Sequence, residues 1–171
     1  MTPTWATEAL LERERLPRCV WDPCCGDGAL CRPIMAAGHI VMASDLHYRG
    51  YGTGEVDFLL SPMASGCTGI VMNPPFNLAT RFITHALNLA PEFLAVFGPI
   101  GLLAGQERGI QIYDRQPPSR VWIFSRRVTL LHGSLVAQGM TEAPHDMRGA
   151  TNFAWLVWNR HHRGTQIGWI P

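Results

Sequence analysis

The chain has 171 residues, 47% of them hydrophobic and 16% charged, and a formal net charge of +1. A chain of this size suits a single domain spanning 1–171 that buries about 70% of the surface its unfolded form exposes, and no apolar run approaches the roughly 20 residues of a membrane span. The opening MTPTWATEALLERERLP has neither the apolar core of a signal peptide nor the Arg/Ser-rich character of a transit peptide, so a cytoplasmic location is expected.

The charge is unevenly spread. Residues 1–76 hold five Arg and eight acids, whereas residues 77–171 hold nine Arg and five acids, and there is no Lys. Arginine binds phosphate through two prongs and stacks on bases, so the basic second half hints at an anionic macromolecular partner. The five cysteines, Cys19, Cys24, Cys25, Cys31 and Cys67, are odd in number and lack C-x-x-C spacing. They imply neither a disulfide framework nor a zinc site and read as small buried residues. The seven His are scattered without metal-ligand spacing, so no metal is expected.

Taken in chain order, Thr7–Arg15 reads as a helix with Thr4 as its N-cap. CVWDPC (19–24) is a short buried strand. Residues 29–37 suit a helix ended by Gly38, a natural C-cap. HIVMAS (39–44) is a second strand, GEVDFLL (54–60) a third, and GIVM followed by Asn73 a fourth. Residues 78–89 space Phe82, Ile83, Ala86 and Leu89 along one helix face. The apolar run 93–103 holds a fifth strand and a turn. Residues 106–113 suggest a helix near the cleft mouth. RVWIFS (120–125) and NFAWLVW (152–158) are the last strong strands, with Trp122, Trp155 and Trp158 read as core. Between them, 133–151 reads as a long loop or insertion. Strands alternating with helices predict an α/β, doubly wound sheet of about seven strands, mostly parallel.

Two stretches carry chemistry. In VWDPCCGDGAL (20–30) a strand runs into a glycine turn and then a helix. Gly26 and Gly28 let a ligand approach the backbone. A phosphate cradle would exclude carboxylates and often supply a Lys; this loop holds Asp22 and Asp27 and matches neither phosphate fingerprint. Its polarity favours a neutral or cationic ligand, such as one with an ammonium and a sulfonium. S-adenosylmethionine has both. Asp45, 23 positions after Asp22, stands where an acid can bind ribose hydroxyls. Asp57 and Phe58 close the next segment, where an acid can accept from an adenine amine while an aromatic covers the ring. The second stretch is Asn73-Pro74-Pro75-Phe76, directly after a strand.

DPCCGDG, the acid in SDL, DFL and NPPF occur in the order seen in class I S-adenosylmethionine-dependent amino-methyltransferases. The chain most resembles small phage and bacterial DNA N6-adenine methyltransferases. The resemblance extends to TPTWATEALL, SDLHYRGYG and FAWLVWNR, and so spans most of the chain. It implies a Rossmann-like sheet with an antiparallel last strand. It also implies a cofactor site made by Thr2, Pro3 and Trp5 of the opening segment, Asp22, Pro23, Cys24, Gly26 and Gly28 of the loop, and Asp45, Leu46, Asp57, Phe58 and Asn73. Asn73 and the Pro74 carbonyl would accept the two hydrogens of an exocyclic amine, Pro75 would stiffen the turn, and Phe76 would stack on a base drawn out of its helix. No separate target-recognition domain is evident. Arg108, Arg126, Arg127 and Arg148 are candidate substrate contacts, with His145 in the long loop and Arg160, His161 and Arg163 near the end as further phosphate contacts.

Adenine N6 in DNA is therefore the expected acceptor. The same two oxygens also serve an RNA guanine amine, cytosine N4 or a protein glutamine amide, although the lack of Ser at position 73 leans away from cytosine. A non-catalytic nucleic-acid or partner-binding module on the same fold is the competing class. The acidic glycine loop disfavours a nicotinamide-dependent oxidoreductase.

Overall fold

The structure, a computed structural model, describes residues 1–130 and 151–171. The long-loop expectation for 133–151, and with it His145 and Arg148, falls almost wholly outside the described residues.

The apolar runs become strands because both faces of the sheet are covered. β1 (Cys19–Asp22), β2 (Ile40–Ala43), β3 (Gly69–Met72), β4 (Phe93–Pro99), β5 (Arg120–Phe124), β6 (Phe153–Asn159) and β7 (Gln166–Ile170) form one sheet in the order β2-β1-β3-β4-β6-β5-β7. Every pairing is parallel except the two made by β6, which runs against β4 and β5. All four residues of β3 and the first six of β4 and β6 are buried, as expected of central strands sandwiched between layers.

α1 (Thr4–Leu11) and α2 (Cys31–Ala36) cover one face and α3 (Ala79–Asn88) covers the other. The first core joins Ala6, Leu10 and Ile34 to Val71, Phe97 and Trp155. The second joins Phe82, Ile83 and Ala86 to Trp21, Met72 and Leu156. Among the described residues no helix is long and apolar enough to cross a membrane.

Several expectations need correction. The first helix starts three residues earlier than the spacing suggests; Pro3 caps it without a side-chain hydrogen bond, and Thr4 lies inside it. Segment 54–60 contains no ladder strand. Glu55 takes a left-handed φ of 59° and Phe58–Leu60 form a single 3-10 turn, so its alternating pattern reflects Val56 and Phe58 turning inward from a loop. The seventh strand is instead β7, placed at the sheet edge beyond β5. Residues 106–113 are helical but change from one α turn to a π turn at Gly109. Cys19 and Cys67 are not separate buried residues: they are joined, 48 residues apart in sequence and 4.6 Å between Cα atoms, across the starts of the adjacent strands β1 and β3. Cys24, Cys25 and Cys31 are free.

Candidate functional site

β1 is flanked by β2 on one side and β3 on the other, so the chain reverses its direction of travel across the sheet between β1 and β3. A crevice opens beyond the carboxyl ends of strands at such a point. Both motifs lie there. Asp22 ends β1 and Asn73 follows β3, although 51 positions separate them.

One cavity of about 640 Å³ occupies the crevice. Pro23, Cys24 and Gly26 of the glycine loop line it, with Asp45 and Leu46 after β2, Asp57 and Phe58, and Asn73, Pro74, Pro75 and Phe76. The two motifs are also coupled electrostatically: burial raises the Cys24 thiol's pKa well above its ordinary value, and the Asn73 backbone N–H partly offsets the rise.

The glycine loop is tied down by acids. Asp45 accepts from the Gly26 N–H at 2.9 Å and from the His47 N–H at 2.9 Å, one bond to each carboxylate oxygen. This braces Gly26, whose φ is 55° and whose missing Cβ would project into open space. At Gly28, φ is 85° and a Cβ would lie 2.7 Å from the Tyr51 ring, so only glycine fits. Asp22 is 1% exposed; it accepts from the Cys24 N–H at 3.2 Å and from the Cys31 thiol at 3.4 Å. Burial pushes its pKa up to about 7 from 3.8, the two hydrogen-bond donors oppose the rise, and nearby Asp45 adds to it. Asp57 accepts from the Leu59 N–H at 2.9 Å and so caps the 3-10 turn while lining the cavity.

Other expected residues sit less simply. Phe58 is 2% exposed and packs among Trp21, Phe82 and His85, so it supports the cavity wall more than it covers a ligand. Trp5 packs edge-on against Phe124, with the Arg126 guanidinium 3.6 Å above its ring, and does not line the cavity. Thr2 is buried and its hydroxyl accepts from the Asn73 side-chain amide at 2.8 Å. Pro3 is the cap of α1. Arg108 folds back onto the carbonyls of Ala104 and Gly101 and is not in the cavity wall. Arg127 is exposed on the segment after β5, likewise outside that wall.

Sequence reasoning missed His47, Arg49 and Arg81, which line the same cavity. Arg81 lies in the first turn of α3, three residues after the tetrapeptide's own 3-10 turn. His47 and Arg49 were within the quoted SDLHYRGYG, which was the available signal. Both arginines are exposed, and neither makes an ion pair with a described residue. The lining thus combines two carboxylates, Asp45 and Asp57, with two exposed guanidinium groups and with Phe76, which is 42% exposed. One side of the Phe76 ring rests on Phe153 at 5.9 Å. Among the described residues no cluster of His, Cys, Asp or Glu could hold a metal ion.

This is an α/β sheet of the class I S-adenosylmethionine-dependent methyltransferase fold. No protein-family model matches the sequence, and no curated protein matches it. Solved structures do match. A protein from Vibrio vulnificus YJ016, described as a modification subunit of a candidate type I restriction enzyme, is similar over 100% of this chain, with a TM-score of 0.66 and 14% identity. The chain spans 47% of that protein's length. A TehB-like SAM-dependent methyltransferase from Corynebacterium glutamicum ATCC 13032 is similar over 90% of this chain and 85% of its own, with a TM-score of 0.53 and 10% identity. A dimethyladenosine transferase from Plasmodium falciparum is similar over 92% of this chain and 62% of its own, with a TM-score of 0.55 and 12% identity.

Proposed function

We propose that the protein is an S-adenosylmethionine-dependent methyltransferase acting on an exocyclic amine, with adenine N6 in DNA as the favoured acceptor. One observation carries this reading: the acidic glycine loop and the Asn-Pro-Pro-Phe turn wall a single cavity at the switch point of the sheet.

The residues present fit that cofactor. Asp45 and Asp57 give the wall a negative character suited to a cationic ligand, and Gly26 leaves room for close backbone approach. Pro23, Cys24, Leu46 and Asn73 complete the lining. When bound, S-adenosylmethionine supplies an electrophilic methyl group on a positively charged sulfur.

The protein's part is positioning. The Asn73 side-chain oxygen and the Pro74 carbonyl accept hydrogen bonds from the amine, which favours a pyramidal nitrogen with its lone pair directed away from the two acceptors. Two proline rings keep those acceptors fixed in advance, so little reorganisation is needed during transfer. The free face of Phe76 offers a stacking surface to a planar base. A methylated, positively charged amine loses its proton readily, so no strong general base is required. Arg49 and Arg81 suit phosphates flanking such a base. The likeness to a restriction modification subunit and to a dimethyladenosine transferase agrees with a nucleic-acid acceptor.

The test is a nucleoside digest after incubation with radiolabelled S-adenosylmethionine and DNA, RNA or protein in parallel. Label in 6-methyladenine from DNA is expected. Label in RNA, methylcytosine or protein reassigns the acceptor, and no label in any arm rejects the enzyme. Asn73→Ala should lower transfer by about 100- to 1,000-fold, the loss typical when one preorganised partner is removed, while cofactor affinity measured by calorimetry stays within about threefold.

A further inference from the structure

The hydrogen bond between Thr2 and Asn73 has a consequence for what the cavity can accept. An asparagine amide can turn either its oxygen or its NH2 towards a ligand, and only one orientation suits an amine. From Asn73 to Pro75 the side-chain donor is committed: Asn73 Nδ2 donates to Thr2 Oγ1 at 2.8 Å, and the two prolines have no N–H. What remains to face a ligand is the Asn73 side-chain oxygen and the Pro74 carbonyl, and neither receives a hydrogen bond from a described residue.

We propose that Thr2 is a positioning residue: its hydroxyl holds the Asn73 amide with the oxygen towards the cavity, so that the turn presents acceptors alone and admits only a nucleophile that donates N–H. This rests on the methyltransferase reading and extends it. Thr2 can do this because it is fixed itself. It is 5% exposed, and the helix that follows it is pinned where Trp155 Nε1 donates to the Ala6 carbonyl at 2.8 Å and where Trp5 lies edge-on to Phe124. The contact spans 71 positions and joins the opening segment to the turn after β3.

Without the hydroxyl, the half-buried amide has no partner at this end in either orientation. The preference for the present orientation is then lost, and the flipped one, which offers donors to a donor, gains population by about five- to hundredfold. Binding of the nucleic acid depends on stacking and phosphate contacts elsewhere, so the loss falls on turnover.

The experiment compares wild type, Thr2→Val and Thr2→Ser by two readouts. The first is the 15N-resolved signal of the Asn73 side-chain amide, identified by its disappearance in Asn73→Ala. Its protons should exchange slowly with solvent in wild type and Thr2→Ser, and lose that protection in Thr2→Val. The second is methyl transfer to DNA. Thr2→Val should lower kcat about five- to hundredfold with KM for DNA and Kd for S-adenosylmethionine within about twofold, and Thr2→Ser should restore kcat to within about threefold of wild type. A Thr2→Val enzyme with wild-type kcat and a protected amide overturns the proposal, as does equal loss in Thr2→Ser. A wild type that methylates nothing overturns the methyltransferase reading instead, and the amide signal then decides the role of Thr2 alone. If Thr2→Val does not fold, Thr2→Ala is read in the same two ways.

Discussion

Asp22→Asn is expected to stabilise the protein in alkaline solution far more than in mild acid. Asp22 is fully enclosed and its pKa rises from 3.8 in the unfolded chain to about 7 in the folded one, burial being the main cause. Between those values the folded protein holds a proton that the unfolded chain has released, so stability falls as pH rises through this window and the cost is complete above pH 7. At 1.36 kcal/mol per pH unit the full cost at pH 8 is on the order of 4 kcal/mol. At pH 5 the folded form is protonated and the cost is only about 1.6 kcal/mol, so acidification from pH 8 to pH 5 relieves about 2.5 kcal/mol. Asparagine keeps an acceptor for the Cys24 N–H and offers its NH2 to the Cys31 sulfur, both already in contact, and it has no charge to desolvate. Thermal melts of both proteins at pH 5, 6, 7 and 8 provide the assay. The advantage of the variant should be about 5–10 °C larger at pH 8 than at pH 5, at roughly 2–4 °C per kcal/mol for a chain of this length. Titrating groups remote from Asp22 are common to both proteins and cancel in the difference, and the three thiols it raises stay protonated across this range. A gap that stays constant across the range, or widens towards pH 5, would refute the assignment of a raised pKa to this carboxyl.

Two further outcomes are expected. Glu14→Gln should lower the melting temperature by roughly 6–20 °C, because Glu14 is 6% exposed and the amide takes away the counter-charge of the Arg120 guanidinium and turns an NH2 towards one of its N–H groups, leaving a largely buried cation uncompensated at a cost of about 3–5 kcal/mol; an unchanged melt would show that the charge of the pair contributes nothing. Arg49→Gln and Arg81→Gln should each raise KM for DNA at fixed salt and reduce the slope of log affinity against log salt by about 0.9, the value for one lost phosphate contact, while cofactor affinity is unchanged; filter binding over 50–300 mM salt would expose an unaltered slope.

The parts of the fold legible in the sequence are those buried on both sides. GIVM, FLAVF and FAWLVW are continuous apolar runs because their strands lie between two layers, and the glycine turn and the Pro-Pro pair mark where two of the strands end. The misreadings have physical causes. Ile167 and Trp169 of β7 are 56% and 64% exposed on an edge strand, so no buried face produced a pattern to read. In 54–60 the inward Val56 and Phe58 copy the spacing of a strand although Glu55 breaks the extended backbone. The Cys19–Cys67 pair depends on β1 and β3 being neighbours, which residue spacing does not reveal. Asp45, Asp57 and Asn73 line one cavity, and each stands beside the end of a strand or the start of a turn, a placement the sequence order reveals; Asp22 ends β1 but is enclosed and outside that lining. Arg81 was not legible in this way, since a surface arginine on a helix carries no local signal of the cavity it will border, and Arg49 was marked only by its place in SDLHYRGYG.

Asp45 shows how the building of the loop and the proposed binding of a ligand can draw on one side chain. Each of its oxygens already accepts a backbone N–H, one from Gly26 and one from His47, so this carboxylate shapes the glycine loop before any ligand arrives. Each oxygen retains a second lone pair, which is what the proposed contact with ribose hydroxyls requires. An acid at this place therefore does what a neutral residue cannot: it satisfies two donors of a strained turn and still offers acceptors to the cavity. Asn73 follows the same logic with opposite groups, committing its side-chain NH2 to Thr2 and keeping its oxygen. At Asp45 and Asn73 the fold thus leaves acceptors facing the cavity, which is the property that the proposed cationic methyl donor and N–H-bearing nucleophile would require.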